Sequence, residues 1–262
     1  SSKFCQNAIK IHIDIDAGEI GKMIKPDLYC VSDARIALEE LIKHVGRLET
    51  EEWLVTLDSY KRRFPLKYRK QGGLKMQHVI DELYNLTGGQ AIVSSDVGQH
   101  QMWAAQFYLT DHPNNWLSSG GAGSMGFGFP AAIGAQVGRP DDLVIAIVGD
   151  GGFQMTMCEL ATACIHKLPI KVIVLNNHYL GMVRQWQELF YEERESGVDL
   201  KGNPDFAKLA QAFGAKGLNL KRGGDVRKVL TKALEYQDGP VVINAEVEKA
   251  DNVYPMVPSG QP

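Results

Sequence analysis

The sequence predicts an α/β protein: a largely parallel sheet with helices on both faces, preceded by the tail of another α/β domain. Three observations predict it. First, residues 144–148 (Val-Ile-Ala-Ile-Val) and 172–175 (Val-Ile-Val-Leu) are short, wholly apolar runs. A strand covered on both faces carries such a run, whereas a half-exposed strand alternates. Second, Met157, Leu160, Ala161 and Cys164 between them stand at i, i+3, i+4 and i+7, the spacing of an amphipathic helix. Third, each run ends in polar residues, Gly149-Asp150-Gly151-Gly152 after the first and Asn176-Asn177 after the second. A βαβ unit then sets polar groups at the carboxyl ends of two parallel strands, where open α/β sheets bind ligands.

Those polar groups have a definite chemistry. A carboxylate and an amide oxygen are hard donors that suit Mg²⁺, which completes its octahedron with phosphate oxygens and water when the protein supplies few ligands. A Gly-rich turn opening a helix offers backbone N–H groups and the positive end of the helix dipole to the phosphates. The local reading is a Mg²⁺-diphosphate site. Gly149-Asp150-Gly151, with Asn176-Asn177 beginning 27 positions after Gly149, resembles the thiamine diphosphate motif of the pyruvate decarboxylase superfamily. A lone Gly-Asp-Gly is a common turn; the pair at this spacing is far more specific.

The composition sets bounds. A chain of 262 residues holds one large or two modest domains with ample core. A net charge of −3 leaves no basic footprint for nucleic acid. No apolar run reaches membrane-spanning length, and the N-terminus shows no signal or transit pattern. Cys5, Cys30, Cys158 and Cys164 form no metal spacing and read as reduced thiols of a cytosol-like compartment. The chain begins without Met and in mid-pattern, and is expected to be a piece of something longer.

In chain order, residues 9–15 alternate cleanly as a strand ending at Asp14 and Asp16. A helix is expected from Asp33 to about Val45, with Ile36, Leu41 and Ile42 facing inward. One strand and one helix cannot bury themselves, so they are expected to complete a sheet begun upstream. Acidic groups at a strand end bind ribose hydroxyls in nucleotide folds, although a solvated strand end is the commoner reading of Asp14. Residues 50–73 read as a solvated connector, a helix breaking near Pro65 and a linker closing at Gly72-Gly73; acidic neighbours argue against a nucleic-acid stacking surface.

The main domain opens with a helix carrying Met76, Val79, Ile80 and Leu83, then a strand over 91–94. The turn Ser95-Asp96-Val97-Gly98 leads into a helix where Gln99 and His100 can donate to an anion. Five glycines around Met125 in 118–129 imply backbone crowding against something, here read as a cofactor-facing loop running into an Ala-rich helix. After Asn177, Met182, Trp186, Leu189 and Phe190 share one helical face, normally core, whose first turn starts beside the proposed metal. Asn203-Pro204 reads as an N-cap and first-turn proline for a helix carrying Phe206, Leu209, Ala210 and Phe213 and closing at Gly214. A further helix (Val226, Val229, Leu230, Ala233) and a strand over 241–247 complete the alternation; the irregular tail 253–260 is placed over the site.

Several runs sharpen the resemblance: Gly98-Gln99-His100-Gln101-Met102, Met125-Gly126-Phe127-Gly128, Leu175-Asn176-Asn177, Leu180-Gly181-Met182-Val183 with Gln185-Trp186, and Tyr254 to Gly260. Together they resemble acetohydroxyacid (acetolactate) synthase, catalytic subunit, over nearly the whole chain. The resemblance implies that 1–46 ends a Rossmann-like, FAD-binding middle domain, 47–72 is a connector and 73–262 is the diphosphate-binding domain. It implies Asp150, Asn177 and the Tyr179 carbonyl as Mg²⁺ ligands. Cofactor contacts would come from Val97, Gly98, Gln99, His100, Gly123, Met125, Gly149, Asp150, Gly151, Gly152, Asn177, Tyr179, Leu180, Gly181 and Met182. Met182, Val183 and Trp186 would wall the pocket of the second ketoacid, and Asp14, Ile15, Asp33 and Ala34 would touch FAD.

The activity so implied is decarboxylation of pyruvate and condensation of the hydroxyethyl unit with pyruvate or 2-ketobutyrate, in branched-chain amino acid biosynthesis. FAD would be structural. The enzyme would be a dimer or tetramer through an N-terminal domain absent here, with a possible regulatory small subunit, in the cytoplasm or a plastid. Two departures stand out: Gly152 where a small hydroxyl residue is common in the family, and Cys158 where Gln is common. The family's proton-relay glutamate lies on the absent domain; Glu159, in mid-helix, is expected to be structural, and this chain alone to catalyse little. Rival readings are a sister enzyme such as glyoxylate carboligase or pyruvate oxidase, and a cofactor-binding module inactive alone. A nicotinamide-binding domain would require GxGxxG after its first strand, which Gly149-Asp150-Gly151 is not.

Overall fold

The computed structural model describes residues 4–69 and 71–257. The chain divides into two compact units, Ser1–Pro65 with Tyr254–Pro262, and Leu66–Val253.

In the first unit, β1 (Ile11–Asp14) pairs in parallel with β2 (Leu28–Val31), Asp14 opposite Val31. The sequence reading expects one strand here. β2 is only four residues long and has no polar alternation to mark it. Helix α1 (Ala34–His44) is capped by Asp33, whose carboxylate accepts from the backbone N–H groups of Arg35 and Ile36. Ile36, Leu41 and Ile42, expected to face inward, are exposed, as are Leu28, Tyr29 and Val31. Two strands and one helix enclose no core of their own. Helix α2 (Glu51–Arg63) buries no residue and stops just before Pro65, with Glu51 and Glu52 in its first turn and Lys61, Arg62 and Arg63 in its last, each sign suited to the dipole end it sits on.

The second unit begins earlier than Gly73. The Tyr68 hydroxyl donates to Asp81 at 2.7 Å, and its ring stands edge-on to Phe107. Then follow α3 (Met76–Thr87), β3 (Ile92–Ser95), α4 (Gln99–Phe107), β4 (Trp116–Ser118), α5 (Gly128–Gly138), β5 (Val144–Gly149), α6 (Asp150–Thr156), a 3₁₀ turn (Met157–Glu159) and α7 (Leu160–Ile165). The unit closes with β6 (Lys171–Asn176), α8 (Gly181–Phe190), α9 (Phe206–Ala212), β7 (Lys216–Leu220), α10 (Val226–Leu234) and β8 (Val241–Glu246). Strand order is β4-β3-β5-β6-β8-β7, every pair parallel. The chain leaves β3 toward β4 on one side and returns to β5 on the other, so the strand order reverses between β3 and β5. Open α/β sheets bind ligands at such a switch point.

The apolar runs are buried on both faces. Val144, Ala146, Val148, Val172 and Val174 join one core with Phe129, Phe153, Leu160 and Phe206. Ile145, Ile147, Ile173 and Leu175 join the other with Met76, Val79, Ile80, Leu83 and Leu230. Phe153 lies edge-on to both Phe129 and Phe206, each at 5.6 Å between ring centroids. Each such side chain contributes about 1.5–3 kcal/mol through burial.

Four local expectations change. The helix after β5 starts at Asp150 itself, then breaks at the 3₁₀ turn; Ala161 is exposed, and Ala163 takes the buried position instead. On α8 the stripe Trp186, Leu189 and Phe190 is exposed, whereas Arg184 and Gln185 are buried. The cap of α9 is Asp205, whose carboxylate accepts from Ala207 and Lys208, so Asn203 is left for other work. The short edge strands β4 and β7 were not legible: one has three residues and the other carries Gly217 and an exposed Asn219. Of the tail, Pro258, Ser259 and Gly260 lie outside the described residues. Among the described residues no helix is long and apolar enough to cross a membrane.

Candidate functional site

The carboxyl ends of β3, β5 and β6 lie side by side. At the first stands Asp96, fully buried. One carboxylate oxygen accepts from the Val97 and Gly126 N–H groups (2.7 and 3.1 Å), the other from Gly128 (2.8 Å). This carboxylate draws the end of the glycine-rich loop onto the sheet. Gly126 serves that bend with φ 86°, a conformation L side chains rarely adopt. The crowding expected of the glycines is against Asp96: a Cβ on Gly152 would stand 2.5 Å from its Oδ1, and one on Gly128 would stand 2.7 Å from its backbone nitrogen. Gly120, Gly121 and Gly123 meet nothing within 4 Å. Asp96 was not singled out from the sequence; the available signal was an acidic residue ending a buried strand.

At the end of β5, Asp150 is the first residue of α6 and only 2% exposed. Among the described residues it forms no ion pair. Burial pushes its carboxyl up to about 6, against the pull of the Asn203 amide and the backbone N–H groups of Gly151 and His178. Asn203 Nδ2 donates to Asp150 Oδ2 at 2.6 Å. The loop bearing Asn203 folds back on the turn after β6: Leu180 N–H donates to Val198, Leu200 N–H donates to His178, and Tyr179 bridges to Asp199.

At the end of β6, Asn177 is buried. Its Oδ1 accepts from the Tyr179 N–H at 3.1 Å, and its Nδ2 lies 3.5 Å from Gln99 Oε1. Both amide hydrogens of Gln99 are already committed, to Gln185 Oε1 and to the Asp251 carbonyl, each at 2.8 Å. The Gln99 side chain therefore has no free amide hydrogen for an anion, which narrows the donor role read from the sequence to its backbone. Gln185 also grips the backbone of Val253 through its N–H (2.8 Å) and carbonyl (2.9 Å), while buried Arg184 bonds Glu188, the Asp251 carbonyl and Asn252. The root of the tail is thus fastened to α8 and α4.

His100 is the remaining buried polar group of this corner. Its ring lies against Gly149 and Gly98, where added Cβ atoms would approach to 2.9 and 3.0 Å. Burial pushes the imidazole down to about 4, against the nearby Asp96 charge and a hydrogen bond to the Asp96 backbone. The buried Nε2 has no partner within the described structure. Met125 completes the cluster, with its Cε 3.5 Å from where a Gly151 Cβ would be.

Of the other expected site residues, Leu180 and Gly181 press on the same corner: a Cβ on Gly151 would stand 2.6 Å from Leu180 Cδ2, and one on Gly181 would stand 2.2 Å from Gln99 Oε1. Val97, Leu180, Gly181 and Met182 flank the corner, and Met182 packs partly against the core. Val183 and Trp186 line an open concavity of about 440 Å³ with Gln187, Tyr191 and Arg194. In the first unit, Asp14 is the last residue of β1 and Asp33 comes just after the parallel β2, but the Asp33 carboxylate is engaged as the cap of α1, with Ala34 opening that helix and Ile15 exposed. Glu159, in the 3₁₀ turn, accepts from Thr162 at 3.1 Å.

Among the described residues no group of three or more His, Cys, Asp or Glu could hold a metal. A cation at Asp150 would rest on one carboxylate, amide and carbonyl oxygens, and non-protein ligands. That donor set fits Mg²⁺ with a diphosphate, and so do a buried carboxylate without a cationic partner and an orphaned His100 Nε2 beside the glycines. A family profile described as "Thiamine pyrophosphate enzyme, C-terminal TPP binding domain" matches residues 96–245. The acetolactate synthase large subunit of Haemophilus influenzae is 41% identical over 261 residues, 97% of this chain and 46% of that protein. The acetolactate synthase of Mycobacterium leprae is 46% identical over 269 residues, 98% of this chain and 43% of that protein. The isozyme 3 large subunit of Escherichia coli is 40% identical over 265 residues, 97% of this chain and 46% of that protein. The chain spans just under half the length of these relatives. Its parallel sheet, its polar strand ends and the match over 96–245 establish that the chain belongs to the thiamine pyrophosphate enzymes and carries their C-terminal TPP-binding domain.

Proposed function

We propose that the chain is the C-terminal part of an acetohydroxyacid synthase catalytic subunit, which decarboxylates pyruvate and joins the two-carbon unit to pyruvate or 2-ketobutyrate. The observation that carries this reading is the buried carboxylate of Asp150, unpaired by any cationic side chain among the described residues, and the buried Asn177, at the carboxyl ends of adjacent strands β5 and β6, in a chain 40–46% identical to named acetolactate synthases. Residues 1–46 belong to an FAD-binding middle domain, 47–72 to a connector and 73–262 to the diphosphate-binding domain.

Thiamine diphosphate, when bound, supplies a nucleophilic carbon and a sink for the electrons left as CO₂ departs. The chain's own residues hold and orient it. Asp150, Asn177 and the Tyr179 carbonyl hold Mg²⁺, and the Gly98–His100 backbone, Gly151, Gly152 and the Leu180-Gly181 backbone cradle the diphosphate. His100 closes the cradle beside Gly98 and Gly149, with its buried Nε2 still without a partner in the described structure. Met125 and Met182 flank the rings. Val183 and Trp186 wall the acceptor pocket, where contact with one extra methyl group supplies about 1–3 kcal/mol of discrimination for 2-ketobutyrate. FAD is structural and reached by Asp14, Ile15, Asp33 and Ala34. The relay glutamate comes from another domain, so the working enzyme is at least a dimer, with room for a regulatory subunit, in the cytoplasm or a plastid.

The test is product analysis of the full-length protein supplied with Mg²⁺ and thiamine diphosphate. Acetolactate from pyruvate, and acetohydroxybutyrate when 2-ketobutyrate is added, support the reading. Turnover of glyoxylate alone would move the protein to the glyoxylate carboligases, and cofactor binding without turnover would leave a binding module.

A further inference from the structure

We infer that Asn203 is a positioning residue for the metal: its amide orients the Asp150 carboxylate so that one oxygen is fixed and the other is presented to Mg²⁺. The inference rests on the metal reading above and concerns a residue the sequence pattern assigns to a helix cap. The structure frees Asn203 from that task, because Asp205 caps α9.

Asn203 is saturated on all sides. Its Nδ2 donates to Asp150 Oδ2 at 2.6 Å and to Asn176 Oδ1 at 3.1 Å, and its Oδ1 accepts from Gln154 Nε2 at 2.8 Å. A carboxylate only accepts, so the nitrogen must face Asp150, and the amide has one possible orientation. Asn176 is held in turn: its Nδ2 donates to Asn244 Oδ1, and its Oδ1 also accepts from the His178 N–H. One amide therefore ties together the end of β5, the end of β6 and the body of α6. The Asp150 side chain has two soft torsions; the Gly151 and His178 N–H groups also act on the carboxylate, and the Asn203 amide is the side-chain donor that marks Oδ2 off from Oδ1.

The loop that carries Asn203 adds a second constraint. Its hydrogen bonds to His178 and Leu180 latch it to the turn that presents Asn177 and the Tyr179 carbonyl. Carboxylate, amide and carbonyl donors are thereby held against one loop. Such precision matters unequally among cations. Mg²⁺ demands near-ideal octahedral geometry at about 2.0–2.1 Å, whereas Ca²⁺ accepts 6–8 irregular oxygens at about 2.3–2.6 Å. Loss of an outer partner of a metal ligand costs about 10–100-fold in affinity, and here the loss should fall on Mg²⁺ far more than on Ca²⁺.

The experiment titrates Mg²⁺ and, separately, Ca²⁺ into the full-length protein at saturating thiamine diphosphate by calorimetry, for wild type, Asn203→Ala and the near-isosteric Asn203→Leu. Metal-free melting is recorded alongside. The expected result is a loss of about 10–100-fold in Mg²⁺ affinity, little change for Ca²⁺, and a metal-free melt that stays cooperative but falls, because Asp150, Asn176 and Gln154 each lose a partner. Equal losses for both ions, no loss for either, or a failure of both variants to fold would overturn the inference and leave Asn203 a part of the scaffold. If wild type shows no metal-dependent binding, the metal reading itself fails, and that outcome is told apart by the wild-type arm alone.

Discussion

Two buried aspartates end neighbouring strands of the sheet, and their surroundings differ. Asp96 at the end of β3 accepts three backbone N–H groups, from Val97, Gly126 and Gly128. Asp150 at the end of β5 accepts from the Asn203 amide and feels the Gly151 and His178 N–H groups, yet it has no cationic side-chain partner among the described residues and burial still pushes its carboxyl up to about 6. A buried carboxylate whose acceptor sites the protein has filled is a strut. One whose donors do not offset its burial is costly until something positive arrives. The same residue type, one strand apart, thus builds the loop in one place and, on the proposed reading, leaves a seat for a cation in the other.

The largest expected effect tests the strut. Asp96→Ala leaves the Gly126 and Gly128 N–H groups buried without their charged acceptor, at about 1.5–3 kcal/mol each. Urea denaturation should show a loss of about 3–6 kcal/mol. A loss below 1 kcal/mol would mean that water or a shifted loop replaces the carboxylate.

Next comes the pH dependence of metal-free stability, measured in chelator. Asp150 keeps its proton up to about 6 when folded but releases it near 3.8 when unfolded, so the stability it confers in acid is lost as pH rises from 3.8 to 6. His100 runs the other way: held down at about 4 when folded against 6.5 unfolded, it costs stability as pH falls from 6.5 to 4. The two offset each other in wild type. Asp150→Asn removes one of them, so relative to wild type it should gain on the order of 2–3 kcal/mol at pH 7 and little at pH 4. A pH-independent difference would show that its hydrogen bonds already offset the burial of Asp150.

The smallest effect joins the two aspartates. A Cβ at Gly152 meets the Asp96 carboxylate, pinned by its three donors. Gly152→Ser, the residue type common in the family, should cost on the order of 1–2 kcal/mol in this chain. In an Asp96→Ala background that cost should disappear, because the clash and its partner are removed together.

How much of this was legible in the sequence depended on whether the signal was local. The apolar runs of β5 and β6, the Gly-Asp-Gly turn and the Asn-Asn pair announced two parallel strands with polar carboxyl ends, since each is a contiguous pattern with a direct structural meaning, whereas the switch point depends on the placement of β3 and the short β4. The tertiary hydrogen bonds were silent. Asn203-Pro204 resembles a helix start so closely that the bond from Asn203 to Asp150, 53 residues away, could not be guessed. Asp96 looked like an ordinary strand-end residue because its partners Gly126 and Gly128 arrive from a loop 30 residues on. The α8 stripe misled in another way: apolar spacing marks a face, but not what covers it, and in this chain Trp186 and Phe190 are each 40% exposed.

The most direct test of the central claim is calorimetric titration of thiamine diphosphate into wild type and Asp150→Asn, each with Mg²⁺ and with chelator at pH 7. The account predicts tight binding only for wild type with Mg²⁺, with the variant weakened by at least about 100-fold and indifferent to the metal. Wild-type Mg²⁺ dependence retained in Asp150→Asn would contradict it, because the carboxylate would then have no part in holding the cation.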